Sequence, residues 1–274
     1  MRTVSIAVLL CVMSLVASAQ TPIIRDGGIV NGATFDAGEP VTPGSLISIF
    51  GSALATKLAQ ADSIPIATQL AGVSVNFITP TGTFPGPITF ALPDNPGSGT
   101  PAQLNVQVPW EAMPAGASGT ATVVVVRDGV SSTPATVSIG PFSPGIFSSG
   151  GRAVAVNLDG TLAWPAGVIA GLTTHPAKPG DVLILYATGL GAVDVPVQSG
   201  HDSQDALRQT LTKPIVLMGG ISAPVQFSGM SPQFVGVNQL NVVVPNTAPG
   251  DAVPIQLQVG GITTSDQITL AITR

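Results

Sequence analysis

Residues 43–50 read PGSLISIF, and residues 179–186 read PGDVLILY, the same pattern 136 positions later. Residues 103–109, QLNVQVP, match residues 239–245, QLNVVVP, at the same offset. Two separate matches at one offset indicate an internal duplication. A repeat this much longer than about 50 residues is typical of duplicated domains and not of a solenoid.

The ends of the two halves agree as well. Asp128-Gly129 in the first half and Gly260-Gly261 in the second lie between runs rich in Val, Ile and Thr. Such dipeptides favour hairpin turns, because both turn positions need positive φ. Each half is therefore predicted to end in a β-hairpin.

Short strands separated by Gly and Pro turns account for nearly all of the chain. In the first half the predicted strands are 45–50, 73–78, 87–92, 103–108, 120–127 and 132–139. In the second half they are 152–157, 181–187, 214–218, 223–228, 239–244, 252–259 and 264–272. The best helical candidate, 54–61, amounts to one or two turns. The pattern predicts an all-β fold of two tandem immunoglobulin-like β-sandwich domains arising from the duplication.

The composition favours the same fold class. Charged residues make up 8% of the chain, against about 25% in an ordinary soluble domain. Gly and Pro together number 57 (32 + 25), as expected for many strands joined by tight turns. A hydrophobic fraction of 45% excludes a disordered chain.

The N-terminus has the three parts of a secretory signal peptide: Arg2, an apolar run over 4–16, and the small residues Ala17-Ser18-Ala19. The apolar run is shorter than the roughly 20 residues of a membrane span, although a retained anchor is the alternative. The predicted organisation is a signal peptide at 1–19, a first sandwich at 20–146 and a second at 147–274. The expected location is periplasmic or extracellular, including the cell surface.

Charge limits the partners. The formal net charge is −5, and removal of Arg2 with the signal peptide leaves 8 basic and 14 acidic residues, a net charge of −6. An acidic chain without a basic cluster argues against nucleic acid and anionic membranes. With no membrane span after signal removal, the expected partner is an extracellular protein or a polysaccharide.

Five segments resemble an uncharacterised C-terminal domain family of secreted acidobacterial proteins, with repeats similar to IPT/TIG sandwiches. The segments are 30–33 (VNGA), the Pro-Gly strand starts, 143–147 (SPGIF), 187–191 (ATGLG) and 234–242 (FVGVNQLNV). They run from about residue 28 to the C-terminus. The resemblance implies an exported, immunoglobulin-like, non-enzymatic module.

Catalytic motifs are absent from the sequence. The only histidines are His175 and His201, and the single Cys, Cys11, lies in the predicted signal peptide. Neither a Gly-x-Ser-x-Gly elbow nor a phosphate-binding glycine loop occurs. We therefore expect no enzyme, no catalytic residue and no cofactor, while a carboxylate pair for a hydrolase stays open because any two of the acids can meet in space.

A few residues are weak site candidates. His201, Asp202 and Asp205, with Asp194, are metal-ligand types, but a solvated loop explains them more simply. Asn157-Leu158-Asp159-Gly160 resembles the start of a calcium loop yet lacks the closing Glu, which favours a hairpin turn. Trp110 and Trp164 lie in turn-like sequence, and either is a candidate for stacking on sugar rings.

Two further expectations concern surfaces. Gln103, Asn105, Gln239 and Asn241 alternate with apolar residues, which predicts the outer face of a strand in each half. The polar segment 194–213 is predicted to be an exposed loop, either a recognition site or a plain connector.

The leading functional hypothesis is an exported non-catalytic structural or interaction module. A carbohydrate-binding module is the alternative and requires an exposed Trp110 or Trp164. A hydrolase with an unrecognised carboxylate site is the second alternative.

Overall fold

A computed structural model describes residues 20–265 and 267–274, so the predicted signal peptide lies outside the described residues. The strands of the first half are β1 (Ile23–Asn31), β2 (Leu46–Ser52), β3 (Ala59–Gln60), β4 (Gln69–Leu70), β5 (Val73–Thr79), β6 (Gly82–Gly86), β7 (Ile88–Leu92), β8 (Ala102–Gln107), β9 (Gly119–Arg127), β10 (Val130–Ser131) and β11 (Ala135–Ile139). One 3₁₀ turn, Trp110–Ala112, follows β8.

The second half repeats this series. Its strands are β12 (Gly145–Ile146), β13 (Ser148–Ser149), β14 (Arg152–Ala153), β15 (Ala155–Val156), β16 (Val182–Thr188), β17 (Ile215–Met218), β18 (Ile221–Ala223), β19 (Val225–Met230), β20 (Asn238–Val243), β21 (Gly250–Val259), β22 (Ile262–Thr263) and β23 (Thr269–Ile272). The described residues contain no α-helix.

Each half is a two-sheet sandwich. The first pairs β1-β2-β8-β7-β3 in one sheet and places β11, β9 and β5 in the facing sheet. The second has the matching order β12-β16-β20-β19, with β15 also on β16, facing β23, β21 and β17. This division, first-second-fifth-fourth strands against third-sixth-seventh, is the immunoglobulin arrangement. The prediction of two tandem immunoglobulin-like sandwiches is confirmed.

The registers confirm the duplication residue by residue. Ser48 pairs with Asn105 and Ile184 with Asn241, and both pairs are related by the offset of 136. Even the side-chain bonds recur: the Val125 amide donates to the Ser132 hydroxyl, as the Leu257 amide does to the Thr264 hydroxyl. The two halves are copies of one architecture.

Alternating side chains build one core in each sandwich. In the first, Ile47, Ile49 and Leu104 face inward beside Phe77, all of them fully buried. Leu183, Leu185 and Leu240 do the same in the second. The outward positions between them carry the amides of Gln103 and Asn105, bonded to each other at 2.8 Å, and those of Gln239 and Asn241 at 3.0 Å. The outer-face prediction is confirmed.

One prediction about an individual element is wrong, and one strand was not predicted. Residues 54–61 form no helix. Leu54 and Ala55 are both buried in the core of the first sandwich, and the segment ends in the short strand β3. Strand β1 was not among the predicted strands, and it contains Arg25-Asp26-Gly27-Gly28. In the structure these four residues are a bulge between two paired ends of one strand.

Candidate functional site

The predicted metal candidates do not form a metal site. Asp205 lies against Arg208, with Oδ–Nη distances of 2.6 Å and 3.0 Å, and this hydrogen bonding lowers the pKa of Asp205 to about 2. Asp202 accepts hydrogen bonds from Gln204 instead. Among residues 20–265 and 267–274, no group of three potential ligands comes together around His201 or elsewhere.

The prediction that 194–213 is an exposed loop is wrong for the middle of the segment. Asp194 and Lys213 are exposed, but Asp202 and Arg208 are buried, 6% and 5% exposed. Arg208 lies against β19 of its own sandwich, where the Met230 amide donates to the Arg208 carbonyl at 3.0 Å, and the residues near Gly200 pack against the first sandwich. The Gly200 amide donates to Gln107 Oε1 at 2.7 Å, and the Ile66 amide donates to the Gly200 carbonyl at 2.7 Å.

The two tryptophans differ in their exposure. Trp164 is 4% exposed, and its indole N–H donates to the Ala153 carbonyl at 2.7 Å. Trp110 is partly buried, and its ring lies so close to Gly44 that a Cβ there would sit 2.1 Å from Cζ2. Trp164 therefore serves packing, whereas Trp110 packs against Gly44 and stays partly exposed.

Residues 157–160 form the expected hairpin turn. The Gly160 amide donates to the Asn157 carbonyl at 2.9 Å, and Val156 bridges Leu162 across the turn. Asp159 instead binds His175, with 2.8 Å between Oδ2 and Nε2. Hydrogen bonds from Thr161 and His175 lower the pKa of Asp159 to about 2. Both side chains are about half exposed, so the pair resembles an ordinary surface ion pair.

The motifs at the ends of the strands meet at the junction between the sandwiches. The Leu46 amide, at the start of β2, donates to both the Gly236 carbonyl at 3.1 Å and Thr188 Oγ1 at 2.9 Å. The Thr188 hydroxyl itself donates to the Gly236 carbonyl at 2.7 Å. On the neighbouring strand, Asn31 Nδ2 donates to the Ser143 carbonyl at 2.7 Å.

Glycine is required at this junction for close backbone approach. A Cβ on Gly189 would lie 1.9 Å from the Ser143 carbonyl oxygen, and one on Gly236 would lie 3.2 Å from the Leu46 backbone. Both glycines have positive φ, +76° and +78°, which favours glycine independently. Ala187-Thr188-Gly189 and Val235-Gly236-Val237 are thus junction motifs.

A second contact holds the sandwiches on the other side of Leu46. The Ser199 hydroxyl donates to Glu111 Oε2 at 2.6 Å and accepts from the Trp110 amide at 2.8 Å. With the Gly200 bonds, these contacts join the 3₁₀ turn after β8 to the segment predicted as a free loop. Hydrogen bonds therefore join the two sandwiches at two places.

Between these contacts lies the junction cleft, about 530 Å³ in volume. Its first-sandwich wall is Leu46, Thr89 and residues 60–66, and its second-sandwich wall is residues 233–237. Phe234 projects from the second wall, 49% exposed, and packs edge-on against Tyr186 with ring centroids 5.7 Å apart.

Sequence reasoning missed this cleft. Its walls are about 170 residues apart in the chain, so no local pattern brings them together. The available signal was Phe234 itself, an aromatic residue beside Gly236 in a segment singled out for another reason.

No protein-family model and no curated protein matches the chain. Among solved structures it is similar to the Bacteroides ovatus mixed-linkage glucan utilization locus protein SGBP-B in complex with a mixed-linkage heptasaccharide, at 12% identity and TM-score 0.34. That match covers 94% of this chain and 47% of the other, so the chain spans about half the length of that protein.

Two further structures are similar at the same level. Domains 5–6 of the S-layer protein SbsC have 8% identity and TM-score 0.27, with 92% of this chain and 98% of that chain covered. The C-terminal domain of the Streptococcus agalactiae AgI/II polypeptide BspA has 12% identity and TM-score 0.19, with 90% and 99% covered. Within the described residues, no helix is long and apolar enough to cross a membrane. All three TM-scores are below 0.5, so the fold assignment rests on the strand order of the chain itself.

Proposed function

We propose that the protein is an exported, non-catalytic interaction module whose two sandwiches are held at a fixed angle to present the junction cleft to a ligand. The observation that carries this is the position of Phe234. A large apolar side chain, half exposed, stands in a concave site whose two walls are joined by hydrogen bonds. Apolar clefts with a few polar groups between structural units are the common form of binding sites.

The cleft chemistry favours an uncharged ligand. Among the described residues that line it, Asp62 is the only ionisable one. The polar groups are the amides of Gln60 and Gln233 and the hydroxyls of Ser63 and Thr89. An aromatic edge beside neutral amides and hydroxyls suits a neutral sugar chain. A carbohydrate-binding module is therefore the second candidate, with Phe234 in the role first given to the tryptophans.

A thermal-shift screen tests the proposal. Residues 20–274 are heated with neutral polysaccharides, acidic polysaccharides and peptidoglycan, and a ligand of the native state raises the melting temperature. We expect a neutral glycan to raise it by several degrees, and Phe234→Ala to abolish the shift. Phe35→Ala is the matched control, because Phe35 is 51% exposed and packs on Phe50 at 6.0 Å, away from the cleft.

Three outcomes decide the matter. A shift that Phe234→Ala removes and Phe35→Ala keeps supports the cleft. A shift that survives Phe234→Ala contradicts the cleft as the site. Release of soluble sugars from any polysaccharide in the screen contradicts the non-catalytic assignment.

A further inference from the structure

The two sandwiches differ in what lies between the edges of their sheets. In the second, residues 147–154 separate β12 from β15, whereas in the first only residues 25–28 separate the equivalent parts of β1. The longer excursion of the second sandwich contains β14, which crosses to the opposite sheet and pairs in parallel with β23. The Thr269 amide donates to the Gly151 carbonyl there, at 2.9 Å.

A second segment completes this closure. The Ala163 amide donates to the Ala155 carbonyl at 2.9 Å, and the Ala163 carbonyl accepts from the Ala271 amide at 2.8 Å. Ala163 therefore bridges the edge strand of one sheet and the edge strand of the other. Ala163 and Ala271 are both fully buried.

The first sandwich has the same two edges without the bridging segment. Ile29 pairs with Ile49 as Ala155 pairs with Leu185, so Ile29 is the equivalent of Ala155. The Ser138 carbonyl accepts a 2.9 Å bond from the Val41 amide, and the Ala271 carbonyl accepts one from the amide of Ala177, which is Val41 shifted by the offset of 136. Ser138 is therefore the equivalent of Ala271, and Thr136 is the equivalent of Thr269.

An open groove of about 430 Å³ lies between these edges, lined chiefly by residues 24–29 and 134–138; we call it the edge groove. The carbonyl of Ser138 points away from β9 towards Val41, so its amide, and that of Thr136, point away from β9 too. Gly38 and Glu39 line the end of the groove next to Val41. Across residues 20–265 and 267–274, no hydrogen bond beyond the strand ladders reaches either amide. Ser138 is exposed, whereas its equivalent Ala271 is buried.

We propose that the edge groove binds an extended peptide segment of a partner protein, which adds as a strand between β1 and β11. The segment donates its N–H to the Ile29 carbonyl and accepts from the Ser138 amide, as Ala163 does in the second sandwich. Its central residue has a small side chain, because the equivalent Ala163 is fully buried. Strand addition to a free sheet edge is a general mode of peptide recognition.

The second sandwich indicates that the ligand of the edge groove is an extended peptide segment. It shows that the same fold accepts a peptide segment between these edges and which backbone groups the segment satisfies. Unpaired edges attract strands from other chains and are normally covered. The inference gives the interaction module a second site, and it does not depend on a ligand in the junction cleft.

Hydrogen exchange with a defined probe tests the proposal. The probe is a synthetic peptide with the sequence of residues 158–166, LDGTLAWPA, added to the protein of residues 20–274. In the free protein we expect the Thr136 and Ser138 amides to exchange at least tenfold faster than those of Thr269 and Ala271. Saturating peptide should slow exchange at Ser138 more than tenfold and leave Ala271 unchanged.

Two variants separate strand addition from non-specific binding. A peptide with Pro in place of the alanine that corresponds to Ala163 lacks the bridging N–H, and should give no protection. In the protein, Ser138→Pro removes the amide that faces the groove, a position where an edge strand tolerates proline, and should abolish binding of the labelled peptide. If that variant does not fold, the proline peptide carries the test alone.

The contradicting results are equally definite. Slow exchange at Ser138 in the free monomer means that the edge is already closed. No protection by the peptide at millimolar concentration rejects the groove as a strand site. Protection that appears without peptide as protein concentration rises, together with a dimer in light scattering, assigns the groove to a second copy of this chain instead of a partner peptide.

Discussion

Replacement of Gly189 by alanine is expected to destabilise the protein by about 2–5 kcal/mol. A left-handed backbone costs a residue with a Cβ roughly 1–2 kcal/mol, and Gly189 has φ +76°. The added Cβ would also lie 1.9 Å from the Ser143 carbonyl oxygen. Relief of that overlap requires the backbone at Ser143, which leads into β12, to move away from the end of β16, at a further cost of about 1–3 kcal/mol. Chemical denaturation of Gly189→Ala measures the sum.

Gly171→Ala is the matched control. Gly171 has almost the same φ, +79°, but no atom of the described residues, apart from its own and its chain neighbours', lies within 4 Å of the position its Cβ would take. This variant should lose only the stability that a left-handed backbone costs a residue with a Cβ, about 1–2 kcal/mol. Equal losses of unfolding free energy in the two variants would mean that the Ser143 carbonyl oxygen causes no steric clash with a Cβ at position 189.

Phe77→Ala is expected to cost about 3–5 kcal/mol, the usual range for truncation of a buried phenylalanine. Phe77 is fully buried in the core of the first sandwich on strand β5, which pairs with the central strand β9. The ring also packs near Gly86, where a Cβ would lie 2.9 Å from Phe77 Cε2. The same denaturation measurement gives the loss.

The adjacent Ile78 provides the comparison on the same strand. It faces the opposite side of the sheet and is 41% exposed, so Ile78→Ala should cost clearly less than Phe77→Ala. A loss at Ile78 as large as that at Phe77 would contradict the inward and outward assignment of β5.

The fold was predictable because the duplication repeats local patterns that strands require. The Pro-Gly starts at 43–44 and 179–180 and the QLN segments at 103 and 239 are each short and self-contained. Inward and outward alternation then assigns Asn105 and Asn241 to equivalent outer positions. Where the pattern is local and its period is two, sequence and structure agree.

The junction was not predictable for the opposite reason. The Leu46 amide meets Gly236 across 190 positions, and the Asn31 side chain meets Ser143 across 112. Gly236 in the sequence indicates only that the backbone needs a positive φ or a close contact at this position, and it does not indicate that the contact is with Leu46. The edge groove likewise becomes visible only when the two copies are compared in three dimensions.

The segment 194–213 illustrates how charge misleads in such a chain. The prediction of an exposed loop rested on the charged residues of the segment, which are Asp194, Asp202, Asp205, Arg208 and Lys213. Arg208 is nevertheless only 5% exposed, and it forms an ion pair with Asp205 at 2.6 Å. A charge tolerates burial when it is paired and hydrogen-bonded. The segment then holds the sandwiches together through Ser199 and Gly200, a structural role that polarity alone does not indicate.

We expect the two sandwiches to form one unit with a fixed angle at the junction. Linked domains move relative to each other by default unless their interface holds them. The only cysteine of the chain is Cys11, so residues 20–274 can be spin-labelled at two introduced cysteines, Thr133→Cys in the first sandwich and Ser222→Cys in the second. Both positions are exposed. The direct measurement is the electron–electron distance distribution between these labels in frozen solution. We expect a single narrow distribution, whereas a broad or two-peaked distribution in the unmodified junction would contradict the claim.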